Sequence, residues 1–299
     1  MKKNIFKLRN LLKILLSLLF VFILLLRLEI IGHPLLNMSF RYSDKKIINK
    51  FRNEDVKPEI RYGAYKNHTL RYLELITNPK LPYVVFIHGA PGSSVDYLNY
   101  FKDEAFYTQV NLISIDRLGY GFSEFGKSVT SIQTQAKAIQ SVIDYSCKSK
   151  NIILVGHSYG GPIALKMAMD FPGKHKCIVL LAPALDPKNE KEIKIAQLAL
   201  IQPIRWLTPP ALRVAADEKA THIEELRKMT PFYDRINIPV CHIHGNKDSL
   251  VPFENLAFSK DHIDPVLLES ITLQNADHFL PWSHYDFIVD KIVEYSNEH

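Results

Sequence analysis

The feature that most constrains this chain is a Gly-x-Ser-x-Gly motif that directly follows an apolar run. The run covers residues 152–155, and the motif reads Gly156-His157-Ser158-Tyr159-Gly160. A short run rich in β-branched residues predicts a buried strand. A serine in this context stands on a sharp strand-to-helix turn that holds its hydroxyl clear of the sheet, and flanking glycines permit that turn without a Cβ clash. The motif makes Ser158 a candidate nucleophile.

Short apolar runs alternate with helical segments along most of the chain. Helices are expected over residues 131–145 and 162–169. Strands alternating with helices indicate an α/β fold, and buried parallel strands read as continuous apolar runs. We therefore predict a mostly parallel sheet of about eight strands with helices on both faces. Besides 152–155, the predicted strands are residues 61–65, 70–76, 83–87, 111–115, 178–181, 240–243 and 271–273.

The alternation breaks at residues 187–235. Apolar residues there recur at roughly helical spacing, then Pro209-Pro210 follows, then a more charged helical stretch. This pattern predicts a helical cap inserted between two strands rather than a separate domain. The predicted organisation is an N-terminal signal-anchor or transmembrane segment over 1–31, a stalk over 32–59, and an α/β domain over 60–299 with its cap at about 187–235.

The N-terminal leader predicts a membrane anchor. Residues 1–27 hold six basic residues and no acidic one, and Ser17 is the one polar residue between Ile14 and Leu26. The wider stretch from Leu11 to Ile31 approaches the roughly 20 apolar residues that span a bilayer. Because no small-residue cleavage pattern follows, we expect an uncleaved, single-pass anchor rather than a cleaved export signal, which is the alternative. Basic residues ahead of the span place the catalytic domain on the extracytoplasmic side.

The charge distribution argues against a nucleic-acid partner. The formal net charge is +6, with 37 basic and 31 acidic residues. Six of the basic residues lie in the leader, so the rest of the chain is neutral and offers no basic stripe to meet phosphates. The expected partners are a small-molecule acyl substrate and, through the leader, a membrane; no obligatory protein partner is evident.

A serine nucleophile needs a base, an acid that orients the base, and donors for the oxyanion. Asp248 and His278 follow predicted strands, in the chain order Ser, Asp, His. The carboxyl ends of parallel strands share one sheet edge, so these groups are expected to meet there. The expected oxyanion donors are the backbone amide of Tyr159 and an amide in the loop of residues 88–92. We choose Ala90 in that loop, because the neighbouring proline has no N–H.

At this point the chain resembles the α/β-hydrolase superfamily over residues 60–297. The resemblance implies a helical cap over the site and assigns roles to Ser158, Asp248, His278, Ala90 and Tyr159, with no metal or organic cofactor. A serine at this position argues against epoxide hydrolases and haloalkane dehalogenases, which use aspartate. The motifs that carry it are His88-Gly89-Ala90-Pro91-Gly92, Asp116-Arg117-Leu118-Gly119-Tyr120-Gly121-Phe122-Ser123, the Ser158 motif, His244-Gly245-Asn246-Lys247-Asp248 and Asp277-His278-Phe279.

The expected function is that of a serine hydrolase that cleaves an ester or related acyl bond through an acyl-enzyme. The same machinery also serves aminopeptidases, lactonases, carbon–carbon bond hydrolases and acyltransferases. Apolar cap residues suggest a modestly apolar acyl or alcohol group, although packing of the cap on the sheet is the explanation that we favour for them. A binding protein without turnover is the alternative from another class. The cap residues concerned are Ile201, Trp206, Leu207, Pro209 and Leu212.

Four alternatives concern individual residues. Asp186 also follows a predicted strand and is the alternative acid, and His284 is a second histidine near His278. His242 and His244 share one strand face and suggest a metal, but no third ligand stands at a recognisable spacing. Residues 121–128 fit a P-loop pattern, which would make the protein an NTPase, a further alternative from another class. They start too late after a strand, however, and Glu124 opposes phosphate binding.

Overall fold

An eight-stranded sheet forms the centre of the molecule. The computed structural model describes residues 2–27, 40–191, 194–202 and 204–298. The strands lie in the order β1-β2-β4-β3-β5-β6-β7-β8 across the sheet. Their bounds are β1 Glu59–Tyr65, β2 His68–Leu75, β3 Tyr83–Ile87, β4 Asn111–Ile115, β5 Ile152–His157, β6 Cys177–Leu181, β7 Val240–Gly245 and β8 Leu268–Leu273.

The sheet is parallel except at one edge. β1 and β2 form an antiparallel hairpin in which Tyr65 pairs with His68, and β2 runs antiparallel to β4. All strand pairs from β4 to β8 are parallel. The predicted α/β architecture, with about eight mostly parallel strands, is confirmed.

Eleven α-helices accompany the strands within the described residues. Ser131 caps the fourth one, because its side-chain oxygen accepts a 3.2 Å hydrogen bond from the amide of Thr134. The helices predicted over 131–145 and 162–169 are observed within a few residues of those bounds. The bounds are α1 Lys2–Arg27, α2 Asp44–Lys50, α3 Glu104–Tyr107, α4 Ile132–Ser146, α5 Gly160–Asp170, α6 Lys194–Leu198, α7 Ile204–Leu207, α8 Pro210–Met229, α9 Asn255–His262, α10 Leu280–Ser283 and α11 Tyr285–Glu298.

Strands β3 to β7 are buried on both faces of the sheet. Successive residues of a strand point to opposite faces, so Val85 and Ile87 enter the core layer shared with α4 and α5. Val84 and Phe86 enter the second layer, shared with α2 and α11. Burial on both faces explains why the central strands read as continuous apolar runs.

The insertion between β6 and β7 is helical, as its sequence predicts. It contains α6, α7, α8 and a 3₁₀ turn over Thr230–Arg235. The apolar stretch ahead of Pro209 is divided between two short helices, α6 and α7, and the sequence places Pro203 between them. A proline removes a backbone donor and disfavours helix at the preceding residue. The long helix α8 begins at the second proline of the Pro209-Pro210 pair, where proline suits a first helical turn.

The N-terminal helix α1 lies against the cap. The rings of Phe20 and Trp206 stack with their centroids 6.2 Å apart. Among the residues that the structure describes, no helix is both long and apolar enough to cross a membrane. The predicted transmembrane helix is thus not found in this part of the chain. The sequence-based span ran to Ile31, and residues 28–31 fall outside the described ranges.

The segment predicted as a stalk contains the short helix α2. Ile47 on this helix and the following Phe51 are buried in the same core layer as α11. The proposed boundaries of leader, stalk and α/β domain stay predictions.

Candidate active site

Ser158 stands on a strained turn at the carboxyl end of β5. Its φ is +53°, a left-handed conformation that costs a residue with a side chain. The turn is tight because a Cβ on Gly156 would lie 2.6 Å from the Gly160 carbonyl oxygen, and one on Gly160 would lie 2.1 Å from the Ile87 oxygen. The amide of Ser158 donates to the Leu181 carbonyl at 3.0 Å, which ties the turn to β6.

His278 and Asp248 meet at the same edge of the sheet, beyond β8 and β7. Nδ1 of His278 donates to Oδ2 of Asp248 at 2.7 Å. Oδ1 of Asp248 accepts hydrogen bonds of 2.8 Å from the amides of Leu250 and Val251. Burial alone would raise the pKa of Asp248, but hydrogen bonds from His244 and His278 outweigh it and hold the pKa below its usual range. An ionised Asp248 fixes the proton of His278 on Nδ1 and leaves Nε2 as a base.

Four of the five predicted site residues line one cavity, of about 580 Å³: Ser158, His278, Ala90 and Tyr159. Asp248, the fifth, is bonded to His278. Within the described ranges, no group accepts a hydrogen bond from the amide of Ala90 or of Tyr159, so both remain available to an oxyanion. Most of the remaining wall is apolar, and its members include Ile23, Leu198, Ala199, Ile204, Leu207, Leu212, Leu250 and Val251.

The alternative acid, Asp186, is occupied elsewhere. Its carboxylate accepts from the amide of Lys188 at 2.8 Å and from the side chain of Asn189 at 2.7 Å. His284 bonds to Ser283 at 2.9 Å. Of the two candidate acids, Asp248 is the one that bonds to His278. Of the two histidines, His278 is the one that bonds to a candidate acid.

Two histidines beside the site hold loops. Nε2 of His157 donates to the carbonyl of His278 at 3.0 Å, and burial lowers the pKa of His157 to about 3. Nδ1 of His88 donates to the Gly89 carbonyl at 2.7 Å, and Nε2 accepts from the amide of Arg117 at 3.0 Å. Both rings are therefore neutral and are used in backbone hydrogen bonds.

The metal and P-loop alternatives find no support in the structure. His242 and His244 bond to each other at 3.1 Å, and the other ring nitrogens contact Ser259 and Val251. In the described part of the chain, no three metal-binding side chains cluster. The P-loop pattern at 121–128 lies between a strand that ends at Ile115 and a helix that begins at Ile132, so it does not open that helix.

A buried ion pair joins the cap to the loop of residues 88–92, which contains the predicted donor Ala90 and is called the oxyanion loop below. The sequence motifs did not indicate this pair. Nη1 and Nη2 of Arg117 donate to Glu218 on α8 at 2.6 and 3.2 Å, and Nε and Nη2 donate to the carbonyls of His88 and Gly89, both at 2.9 Å. Tyr120 adds a 2.6 Å hydrogen bond to Glu218. Burial would lower the pKa of Arg117, but Glu218 reverses this effect and keeps the guanidinium charged.

A second polar group lies on the cavity wall itself. Nδ1 of His222 on α8 contacts Oε1 of Glu190 at 3.1 Å, and Lys219 forms an ion pair with the same carboxylate. All three side chains line the cavity that contains Ser158. The charged and polar character of the cap helix that carries Lys219 and His222 was visible in the sequence. Their pairing with Glu190 was not visible, because Glu190 lies on a separate segment.

Comparison with known proteins agrees with the observed fold. Residues 82–223 match the family described as alpha/beta hydrolase fold. This match covers just under half of the chain and supports its assignment to the α/β-hydrolase superfamily. A bacterial membrane phospholipase A of known structure superposes with a TM-score of 0.63 and 17% identity, over 99% of this chain and 98% of that one. At this identity the superposition shows a shared fold.

Two curated proteins match the chain by sequence. An esterase/lipase of Mycoplasma pneumoniae is 24% identical over 250 residues, which are 69% of this chain and 88% of that protein. The probable lysophospholipase BODYGUARD 2 of Arabidopsis thaliana is 31% identical over 138 residues, which are 44% of this chain and 29% of the relative. The chain thus spans less than a third of the length of this plant relative.

Proposed function

We propose that this α/β-hydrolase cleaves acyl esters with Ser158 as nucleophile, His278 as general base and Asp248 as the group that orients His278. One observation carries the proposal: Ser158 and His278 line the same cavity, and His278 bonds to Asp248 at 2.7 Å behind it. Nucleophile, base and orienting acid in this chain order are typical of serine hydrolases with the same fold.

The proposed reaction has two steps. His278 accepts the proton of Ser158 as the serine oxygen attacks the acyl carbon, and it then protonates the departing alcohol. The amides of Ala90 and Tyr159 stabilise the oxyanion; each such donor contributes about 3 kcal/mol in the transition state. Water, activated by His278, attacks the acyl-enzyme and releases the acid. An alcohol in place of water would make the same site an acyltransferase.

The apolar walls favour an acyl chain as the group that the cavity holds. Its volume of about 580 Å³ lies within the roughly 300–1,000 Å³ usual for small-molecule sites. Leu198, Ile204 and Leu207 of the cap and Ile23 of α1 contribute to the walls. The names of the relatives, esterase/lipase and lysophospholipase, support the same substrate class.

A fluorophosphonate probe tests the nucleophile. Wild-type protein is expected to form one covalent adduct on Ser158, and Ser158→Ala none. p-Nitrophenyl esters of increasing chain length then test the substrate class, with a maximum expected beyond short acyl chains. Ser249→Ala, in an exposed turn, is the matched control and is expected to label as wild type. Labelling of Ser158→Ala at the wild-type rate would refute the proposed nucleophile.

We also propose that helix α1 attaches the enzyme to a membrane. Apolar side chains of the helix, among them Leu15, Leu18 and Leu19, are more than half exposed, and Ile23 reaches the cavity. Cell fractionation tests this: full-length protein is expected with the membranes after a high-salt wash. Recovery of the full-length chain in the soluble fraction would contradict the attachment but leave the ester hydrolase untouched.

A further inference from the structure

One polar atom in the wall of the cavity has no partner. Nε2 of His222 makes no hydrogen bond to any residue in the described part of the chain, although the residue is only 1% exposed. An unpaired buried nitrogen is costly, and such groups in native structures call for an explanation. His222 is one of the residues that line the cavity containing Ser158.

The surroundings of His222 determine what Nε2 offers. A carboxylate accepts hydrogen bonds, so Nδ1 is the nitrogen that donates to Glu190. Lys219 neutralises that carboxylate through its own ion pair. When the ring carries a single proton, on Nδ1, the Nε2 atom has a lone pair and accepts a hydrogen bond. Its complement is a donor such as a hydroxyl group, whereas a phosphate or carboxylate would bring only further acceptors.

The position of the ring relates this acceptor to the reaction. His222 packs against the ring of Tyr159 with the centroids 4.7 Å apart, and Tyr159 is the residue after Ser158. One to three turns earlier on α8, Ala216, Ala215 and Leu212 continue the wall with apolar groups. A substrate bound here thus meets one acceptor near the nucleophile and an apolar surface beyond it.

We propose that His222, held by Glu190, is a specificity-determining residue that accepts a hydrogen bond from a hydroxyl on the alcohol portion of the substrate. The enzyme then favours monoacyl esters of glycerol-type polyols over esters of simple alkanols. This inference rests on the proposed ester hydrolysis and names the feature of the alcohol that the site selects. Free hydroxyls of this kind occur in monoacylglycerols and in lysophospholipids.

A matched pair of substrates tests the subsite. 1-Decanoylglycerol and propyl decanoate share the acyl group and the three-carbon alcohol skeleton, and only the first has hydroxyls. We expect wild type to prefer 1-decanoylglycerol in kcat/KM by about 5- to 10-fold, as one neutral hydrogen bond provides. His222→Met is expected to abolish the preference, so that the two decanoate esters are hydrolysed with similar kcat/KM. 1-Decanoyl-lysophosphatidylcholine, which also bears a hydroxyl, distinguishes a lysophospholipid substrate from a monoacylglycerol. The ester whose kcat/KM falls in His222→Met identifies the substrate type.

Two further variants separate recognition from folding. His222→Gln keeps a polar atom near the position of Nε2 and is expected to retain part of the preference. His175→Met replaces another buried histidine with one unpaired ring nitrogen, outside the cavity wall, and is expected to leave the preference intact. Fluorophosphonate labelling shows that each variant has a folded site.

The outcomes distinguish the two proposals. Equal hydrolysis of the two decanoate esters by wild type, or a preference that persists in His222→Met, would overturn the hydroxyl subsite. Failure to hydrolyse any ester, with no fluorophosphonate adduct, would instead overturn the proposed function.

Discussion

At the residue scale, the site depends on one carboxylate that is held in a single orientation. Asp248 accepts hydrogen bonds from two backbone amides and from His278. Together with a hydrogen bond from His244, these contacts account for the lowered pKa of Asp248 and for its proposed use as an orienting group rather than as a proton donor. Asp186, which the sequence offered as the alternative, is held within its own turn.

Asp248→Asn is expected to reduce kcat by about 10²- to 10⁴-fold, because an amide can stabilise the wrong tautomer of His278. KM for a p-nitrophenyl ester should change much less, since Asp248 does not line the cavity. Steady-state kinetics measure both parameters. Asp186→Asn is the control, and a larger loss of kcat in that variant would transfer the role of acid to Asp186.

The residues of the site were not equally visible in the sequence. Ser158, Asp248 and His278 stand in local motifs just beyond predicted strands, so sheet topology alone implies that they meet. His222 and Glu218 lie on a helix whose sequence indicates only a solvated face. Their partners, Glu190 and Arg117, are far away in the chain, and no periodicity pairs residues across such distances.

At the element scale, a buried ion pair and hydrogen bonds through Arg117 connect helix α8 to the oxyanion loop. Glu218 on this helix and Arg117 below it are fully buried, and Arg117 also donates to the carbonyls of His88 and Gly89. Removing one partner of a buried ion pair leaves an uncompensated charge. The position of the cap and the position of the Ala90 amide are therefore coupled.

Glu218→Gln is expected to lower the free energy of unfolding by about 3 kcal/mol, since Arg117 would lose its counter-charge. The fluorophosphonate labelling rate should fall as well, because the oxyanion loop loses its support. Urea denaturation and a labelling time course measure the two effects. Glu224→Gln, on the exposed face of the same helix, is the matched control and should behave as wild type. Unchanged stability of Glu218→Gln would refute this coupling.

Two segments with helical spacing show how tertiary packing affects the length of a helix. α4 is fixed by its own sequence, with Ser131 as cap and an apolar face toward the core. The apolar stretch ahead of Pro209 has helical spacing too, but it forms two short helices. Its apolar residues line a cavity and contact α1 instead of entering a core, so packing adds little to helix stability there.

At the scale of the whole molecule, several buried neutral histidines make stability depend on pH. Burial lowers the pKa of His157 to about 3 and of His175 to about 4, and it lowers the pKa values of His88 and His242 well below the ordinary 6.5. Below about pH 6.5 the unfolded chain binds protons that the folded chain does not. Stability should therefore fall on acidification.

The free energy of unfolding is expected to decrease below about pH 6, by about 1.4 kcal/mol per pH unit for each such histidine. Urea denaturation between pH 4.5 and 8 measures the slope. In His175→Gln the free energy of unfolding should depend less steeply on pH, by the equivalent of about one proton, because residue 175 no longer takes up a proton on unfolding. Stability that rises on acidification would contradict the assignment of neutral buried rings.

The overall fold was largely predictable because its signal is repeated. Eight predicted strands, most of them separated by helical segments, leave few topologies, and the right-handed rule for parallel crossovers narrows them further. The placement of α1 against the cap was not predictable. It depends on contacts such as the one between Phe20 and Trp206, and hydropathy alone does not distinguish a helix that packs on protein from one that enters lipid.

The Arg117–Glu218 pair limits how this scaffold exchanges parts with its relatives. A cap grafted from another α/β-hydrolase would arrive without a carboxylate opposite Arg117, unless the donor carries one at the equivalent turn of its own helix. Chimeras should therefore succeed when both partners are transplanted together or both are replaced by apolar groups. Changes in the cap, whether engineered or evolved, are therefore constrained by Arg117, which lies outside the cap.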